Sequence, residues 1–509
     1  MSARREVSTV LSRAPEGLDA PLVRVEVHLG AGLPTFTLVG LPEAAVRESK
    51  ERVRAALTTA GFDFPVARIT VNLSPADLPK EGGRFDLPIA VGILAAQMAI
   101  PASALRQREF HGELSLAGEL RETRKLLPAL IRGVQSGHEV ILPAANALEA
   151  GLVGDAKLKL VRHLAELVAA LNGRQPLRSL RTAREAAAPT AAGSCPDLTD
   201  VRGQFAGKRA LELAASGEHG LLFIGPPGTG KTLLAQRLPT LLPPLSPAET
   251  LEIASLQSAA GLTPCASSRR PFRNPEHTAS VAALIGGGAA MRPGELSLAH
   301  QGVLFLDEFP EFPRNALEAL RVPMESGEVQ LTRLKRSYRF PARFQLVTAM
   351  NPCPCGYAGD PRGRCRCTPE QVGRYRSRIS GPLADRIDLH VELAALPPEH
   401  LLAEPGSGSA ESSATVGRRV AAARDVQMSR QGKLNARLSV DEIHRHCELS
   451  SESRALLATA IARLGFSPRA YHRVLKVART CADLAHSAQI RVVDVAEAVK
   501  LRVLDRPTC

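Results

Sequence analysis

At 509 residues, 44% hydrophobic and 4% aromatic, the chain has material for about three domains with sizeable cores, and it is too apolar for a disordered protein. Lys and Arg (64) outnumber Asp and Glu (51), leaving a formal charge of +13 that favours an anionic partner, nucleic acid ahead of membrane. The polar start, Met1-Ser-Ala-Arg-Arg-Glu, argues against a signal peptide. Pro88 and Gln97 interrupt the longest apolar run, Leu87 to Ile100, so no membrane span and a cytoplasmic location are expected; nine cysteines, an odd number, speak against a disulfide framework.

From Leu22 the chain alternates in the manner of strands, Leu22-Val-Arg-Val-Glu-Val-His-Leu29 and Phe36-Thr-Leu-Val-Gly40. The pattern then predicts a helix from Pro42 to Thr59 with an apolar stripe of Ala45, Val46, Val53 and Leu57, a strand at Arg68–Leu73, and a helix opened by Pro79 to Pro88. This arrangement resembles the N-terminal domain of magnesium-chelatase-like proteins, which is related in fold to the Lon protease domain. The loop that carries a serine in Lon-type proteases has Arg84 at the matching position, and Ser103 is the one serine between Ala76 and Phe110. A seryl nucleophile is therefore missing, and the segment, residues 1–173, is expected to be structural or to serve interactions. Strands at Val140–Leu142 and Leu158–Val161 complete it, and residues 174–195, with Pro176, Pro189 and Gly193, form a linker.

Gly225-Pro226-Pro227-Gly228-Thr229-Gly230-Lys231-Thr232 follows the apolar run Leu221–Ile224 and matches the phosphate-cradling pattern GxxxxGKT at each fixed position. The glycines turn backbone N–H groups onto a triphosphate, Lys231 reaches its outer oxygens, and the Thr232 hydroxyl can hold Mg²⁺. A second apolar run ends in Asp307 and Glu308, one acid for Mg²⁺ and one to polarise the attacking water. ATP hydrolysis follows as the expected chemistry. Upstream, Asp197 to Gln204 and the helix from Lys208 resemble the segment that closes over adenine in AAA+ ATPases. The interval before Asp307 contains an apolar helix near Glu249–Ala259, His277-Thr-Ala-Ser280 and Gly286-Gly-Gly288; the same resemblance implies an insert within the second helix of the core.

Glu328 to Phe340 reads as a hairpin that projects Arg333, Lys335, Arg336 and Arg339, suited to gripping nucleic-acid phosphates, with a solvated turn as the plain alternative. The strand Phe344–Met350 ends in Asn351, the position of the polar sensor beside the γ-phosphate in AAA+ proteins. Cys353, Cys355, Cys365 and Cys367 follow within fifteen residues, two CxC pairs able to form a tetrahedral Zn²⁺ site or to remain reduced thiols. Leu383-Ala-Asp-Arg-Ile-Asp388 resembles the segment that carries the arginine finger of magnesium-chelatase ATPases, which makes Arg386 the candidate, with Arg374, Arg376 and Arg378 as alternatives. After a Gly- and Ser-rich linker, 403–415, helices are predicted at Val416–Ser429, Val440–Cys447, Ser451–Leu464, Pro468–Ala485 and Val492–Arg502. In AAA+ lids the fourth of these carries the second sensor, here Arg469 and next Arg473.

Taken together, this order of parts resembles the YifB/ComM family of magnesium-chelatase-like ATPases over nearly the whole chain. The resemblance implies a Lon-like N-terminal domain, an AAA+ core of parallel sheet and helices (196–402) and a helical lid (416–509). It also implies ATP and Mg²⁺ as cofactors, a homo-oligomeric ring of six subunits, and branched or single-stranded DNA as substrate, with branch migration during natural transformation as the role. Two alternatives stay open: a chelatase-type ATPase subunit, against which the N-terminal domain weighs, and a chaperone or regulatory ATPase acting on protein.

Overall fold

The computed structural model describes residues 7–155, 157–179, 196–264, 267–288, 291–333, 336–359, 363–395, 411–502 and 504. Lys335, the Ala45 side chain, residues 180–195 and 403–410 of the two expected linkers and residues 396–402 of the expected core lie outside the described residues; within the expected linkers, Arg178–Ser179 forms a strand and a helix begins at Ser413. The chain is α/β and forms two compact units, Met1–Ala191 with Thr250–Ala266, and Ala192–Glu249 with Ser267–Cys509.

In the first unit the alternating segments build one eight-stranded mixed sheet. Its order is Arg178–Ser179, Leu158–Val161, Glu139–Pro143, Arg108–Phe110, Ser8–Arg13, Leu22–Gly30, Arg68–Ser74 and Thr35–Val39. Val23, Val25 and Val27 of the strand Leu22–Gly30 are buried while Arg24 and His28 are exposed, as a period of two requires. Behind them packs the helix Asp86–Ala96, which is buried from Asp86 to Leu94. Gly92 allows that approach, since a Cβ there would stand 2.6 Å from Val27 Cγ2. The helix expected over Pro42–Thr59 forms as two pieces, Ala44–Arg47 and Ser49–Thr59, with the buried Ser49 hydroxyl donating to the Val46 carbonyl at 2.7 Å. Arg84, at the position matched to the protease serine, is buried and donates to the Arg124 carbonyl at 2.7 Å, a packing contact. The distal part of the helix Pro247–Ala260 belongs to this unit, where Ser258 donates to the buried Glu149 carboxylate at 2.8 Å.

The strand Ser8–Arg13 has no clear apolar alternation because, beside the buried Val10, its buried Ser12 and Arg13 are polar. Arg13 is buried and donates to both oxygens of Glu109 at 2.8 Å, and His138 Nδ1 stands 2.6 Å from the same carboxylate. Burial alone would raise the Glu109 carboxyl, but the His111 imidazole 3.7 Å away and the hydrogen bonds with Arg13 and His138 outweigh that and bring it down to about 2. Removing one member of such a pair strands a buried charge, so Arg13→Ala is expected to destabilise this unit by about 3–5 kcal/mol, measured by denaturant unfolding. The sign with pH follows: a depressed carboxyl stabilises above its unfolded value of about 4.3, and that contribution is lost as pH falls toward 2.

The second unit centres on a five-stranded, wholly parallel sheet in the order Phe272–Arg273, Val303–Leu306, Gln345–Met350, Leu221–Ile224 and Leu389–Glu392. The strands before the phosphate loop and before the acid pair are thus separated by the strand that ends in Asn351. Fully buried strands explain their continuous apolar runs. The helices Phe205–Gly217, Ser413–Gln431 and Pro468–Leu484 join the sheet in one core that includes Leu211, Leu234, Val420, Val474 and Ala478. The helix Pro468–Leu484 starts as its sequence requires, with Ser467 accepting from Ala470 N and Pro468 in the first turn. A short hairpin, Gly286–Gly287 with Arg292–Pro293, interrupts a helical stretch between Val281 and Leu298. The longer hairpin Glu328–Pro341 lies beside it, and Arg333 donates to the Gly288 carbonyl at 3.0 Å.

Candidate active site

Parallel strands deliver their carboxyl ends to one edge of the sheet, and a ligand-sized cleft of about 590 Å³ opens there. Pro227 to Thr232, Asp307, Glu308 and Asn351 all line it. Gly228 and Gly230 hold φ of 79° and 87°, a conformation that side chains with a Cβ rarely adopt, and Gly225 lies so close to Leu393 that a Cβ would meet its carbonyl at 2.6 Å. The loop leads directly into the helix Lys231–Ala235.

The Lys231 ammonium is held by the carbonyls of Gly225 (2.6 Å) and Pro226 (3.0 Å) and by Asn351 Oδ1 (3.1 Å). Burial lowers its pKa against the opposing pull of Asp307 and Glu308. Thr232 Oγ1 donates to Asp307 Oδ2 at 2.7 Å. With its proton on Asp307, the Thr232 hydroxyl keeps lone pairs for Mg²⁺, so it would hold the ion directly and Asp307 would hold it through water. Glu308 takes φ of 51°, and its N–H donates to Asp307 Oδ1 at 2.9 Å. A non-glycine residue held in that region is a costly conformation of the sort found at functional sites.

Two residues of this region are not among the site residues expected from the sequence, although Gln204 ends the segment that resembles the adenine cover. Gln204, nearly buried, donates to the Thr229 carbonyl at 3.0 Å and the Ala394 carbonyl at 2.9 Å, which ties the segment before the first helix to the phosphate loop. His277 lines the cleft with its Nδ1 3.3 Å from Glu308 Oε2.

Arg386 and Arg469 lie elsewhere. They line one small cavity with Glu325, Ile443, His472 and Arg473. That cavity shares Glu325, Arg386, Leu438, Arg473 and Lys476 with a larger one of about 620 Å³, whose wall includes Gly220 and Gln345. Gly220 precedes the strand Leu221–Ile224 and Gln345 opens the strand Gln345–Met350, so this is the amino edge of the sheet, one strand length of roughly 13–20 Å from the phosphate loop. Arg386 pairs with Glu325 and donates to the Pro382 carbonyl at 2.8 Å; Arg473 pairs with Asp388. Of the alternatives, Arg374 pairs with Glu370 at 2.8 Å and Arg378 with Glu311.

The four cysteines converge. Their sulfurs all lie within 4.8 Å of one another, with Cys353–Cys355 at 3.3 Å, Cys353–Cys365 at 3.8 Å and Cys355–Cys365 at 3.7 Å. A tetrahedral zinc with bonds of about 2.3 Å sets its sulfurs roughly 3.8 Å apart, so the cluster fits that ion and is far from disulfide length. Backbone N–H groups of Arg366 and Tyr357 help bring the Cys355 thiol down to about 6, whereas Cys365 and Cys367, each lowered by a backbone N–H, are pushed up overall by burial and by Cys355 and Cys353, Cys367 to about 12. Gly356 sets this loop on the phosphate loop: a Cβ there would stand 2.8 Å from Pro227 Cδ.

Among the described residues, no helix is long and apolar enough to cross a membrane. Comparison with known families matches residues 197–401 to a model described as magnesium chelatase, subunit ChlI, residues 25–146 to one described as subunit ChlI of Mg-chelatase, and residues 410–502 to the C-terminal model of that subunit. The chain is 49% identical over 504 residues to the competence protein ComM of Haemophilus influenzae, covering 98% of each chain. It is 48% identical over 509 residues to the YifB protein of Escherichia coli K12, again covering 98% of each. The magnesium-chelatase 67 kDa subunit of Heliobacterium mobile is more distant, 29% identical over 225 residues, 38% of this chain and 30% of that one. Full-length similarity of this order, on a parallel sheet with its phosphate loop and acid pair in one cleft, makes the chain a member of the ComM/YifB family of magnesium-chelatase-like AAA+ ATPases.

Proposed function

We propose that this chain is the subunit of a cytoplasmic, ring-forming ATP-driven motor, most simply a hexamer, that moves branched DNA, and that it serves branch migration of recombination intermediates during natural transformation. The observation that carries the ring is the division of the proposed catalytic set. Lys231, Thr232, Asp307, Glu308 and Asn351 share one edge of the sheet, while Arg386 and Arg469 share a cavity at the other. Neither arginine serves its own subunit's phosphates, so both act on the nucleotide of a neighbour, where Arg386 stabilises charge developing on the transferred phosphoryl group. Gly225 to Thr232 cradle ATP. Thr232 and Asp307 hold Mg²⁺, which neutralises phosphate charge when bound; Asn351 orients and Glu308 polarises the attacking water.

DNA as the substrate is supported by the exposed cations of the adjacent hairpins, Arg292, Arg333 and Arg339, and by the positive net charge. It is supported too by the full-length similarity to a protein named for competence, whereas the similarity to the named chelatase subunit spans 38% of this chain. The test is ATP turnover with and without a synthetic four-way DNA junction across a salt series. Stimulation by the junction is expected, weakening as salt rises; turnover indifferent to every nucleic acid at low salt would move the substrate to protein. Arg333→Ala and Arg339→Ala are each expected to weaken DNA binding regardless of sequence and to reduce the slope of log K against log salt by about 1.

The four thiols are proposed to hold Zn²⁺ as a brace for the loop on Pro227. Stripping the purified protein with a strong chelator is expected to release one equivalent of zinc and to lower ATP turnover, with recovery on adding zinc back. Protein that holds no metal and turns over at the full rate would exclude the brace.

A further inference from the structure

We infer that the second unit carries a site for hydrogen phosphate, built around Arg424 and Gln345 and separate from the ATP cleft. A cavity of about 220 Å³ opens at the amino edge of the parallel sheet, where Gly302 precedes the strand Val303–Leu306 and Gln345 opens the strand Gln345–Met350. It is smaller than the roughly 300–1,000 Å³ of a site for a drug-sized ligand, so it suits an ion with its waters rather than a nucleotide. Four cations line it, Arg270, Arg424, Lys433 and Arg437, against two acids, Glu218 and Glu249. Both acids are already engaged: Arg437 donates to both oxygens of Glu218, and Arg270 donates to Glu249 at 3.3 Å and to the Gln301 carbonyl at 2.8 Å. Lys433 pairs with Glu442 at 2.9 Å. One positive charge is left over, that of Arg424.

Arg424 lies on the helix Ser413–Gln431, where its Nε donates to the Ala215 carbonyl at 2.8 Å and so fixes the guanidinium. Among the described residues, no hydrogen bond or ion pair engages its two terminal nitrogens. Burial brings the group down to about 10; Glu218 and Glu249 pull the other way without pairing to it, and Arg270 and Arg437 repel it. A partly buried cation without a paired acid is costly, and an anion in the cavity offsets that cost. The same wall holds a complementary group. Gln345 is 4% exposed, its amide nitrogen donates to the Ala214 and His219 carbonyls at 2.7 and 2.9 Å, and its Oε1 has no hydrogen-bond partner among the described residues. A buried acceptor left unpaired calls for a donor. Hydrogen phosphate supplies both parts: its charged oxygens accept from the terminal nitrogens of Arg424, and its P–OH donates to Gln345 Oε1. Sulfate has the same shape and charge but carries no proton at neutral pH, so it satisfies the arginine alone.

The test is equilibrium dialysis of radiolabelled inorganic phosphate against the full-length protein, with Mg²⁺ and ADP held at saturation so that the ATP cleft is occupied. One phosphate per chain is expected to bind, with sulfate competing about fivefold or more weakly than unlabelled phosphate. Arg424→Gln is expected to weaken binding by about tenfold or more. Lys231→Ala in the phosphate loop and Arg386→Ala in the neighbouring cavity are expected to leave it within about twofold. Arg424→Lys serves where Arg424→Gln does not fold: it keeps the positive charge but lacks the second free nitrogen of the fork, and it is expected to bind about threefold or more weakly. The inference is overturned if the wild-type protein takes up no phosphate at millimolar concentration, or if both Arg424 variants bind as the wild type does. It is equally overturned if binding is lost with Lys231→Ala or Arg386→Ala instead, which would place the ion on the catalytic set. Sulfate competing as well as phosphate would overturn hydrogen phosphate as the ligand.

Discussion

Glu308→Gln is expected to bind ATP normally and to hydrolyse it about 10²- to 10⁴-fold more slowly. The amide keeps the shape of the side chain and its exposure in the cleft, but it no longer takes a proton from water. Asp307, 2.7 Å from the Thr232 hydroxyl, is untouched by the change, so the groups proposed to hold Mg²⁺ persist. The check pairs an equilibrium ATP-binding measurement with a turnover assay. Loss of binding together with turnover would assign Glu308 to the ligand set for nucleotide or metal, and full turnover would remove it from the chemistry.

The second large effect is expected at Arg386, although no phosphate of its own subunit is within reach. Arg386→Ala should lower turnover by about 10³- to 10⁵-fold, as loss of a transition-state arginine does, with ATP affinity nearly unchanged. Lys in its place should recover little, because an ammonium lacks the planar fork that meets two phosphoryl oxygens at once. The guanidinium is 9% exposed and pairs with Glu325 on the helix Arg321–Ser326, just before the basic hairpin Glu328–Pro341. Thermal unfolding of the variant separates catalysis from folding: a transition lowered by many degrees along with turnover would mark the arginine as structural.

The phosphate loop and acid pair were legible in the sequence because both rest on local spacing. A strand followed by fixed glycines and Lys231-Thr232 has few other meanings, and apolar runs such as Val303–Leu306 announce buried parallel strands. The lid helices were legible within a few residues through caps such as Ser467 and Ser439. The four cysteines were visible as a candidate cluster because their spacing is short. What escaped depends on distance along the chain. The strand Ser8–Arg13 is held by Arg13 and Glu109, 96 residues apart, and its buried Ser12 and Arg13 erase the apolar alternation. The break in the helix after Arg47 falls beside a buried Ser49 that donates to the Val46 carbonyl and that periodicity treats as solvent-facing. Arg386 and Arg469 could each be singled out by their segments, but their meeting in one cavity, across the sheet from Lys231, required the parallel topology. His277 offered only a lone imidazole 31 residues before Glu308, and the register of two parallel strands brings the two together.

The central claim is that each ATP site is completed by a neighbouring subunit, and mixing tests it most directly. Wild-type protein is titrated with Arg386→Ala protein at constant total concentration, and ATP turnover is followed in the presence of junction DNA. Shared sites predict that each inactive arginine silences an otherwise intact neighbour, and that a coupled ring loses activity faster than the wild-type fraction falls. Turnover that falls in strict proportion to the wild-type fraction, with mixed rings confirmed by subunit exchange, would contradict the claim and return Arg386 to its own subunit.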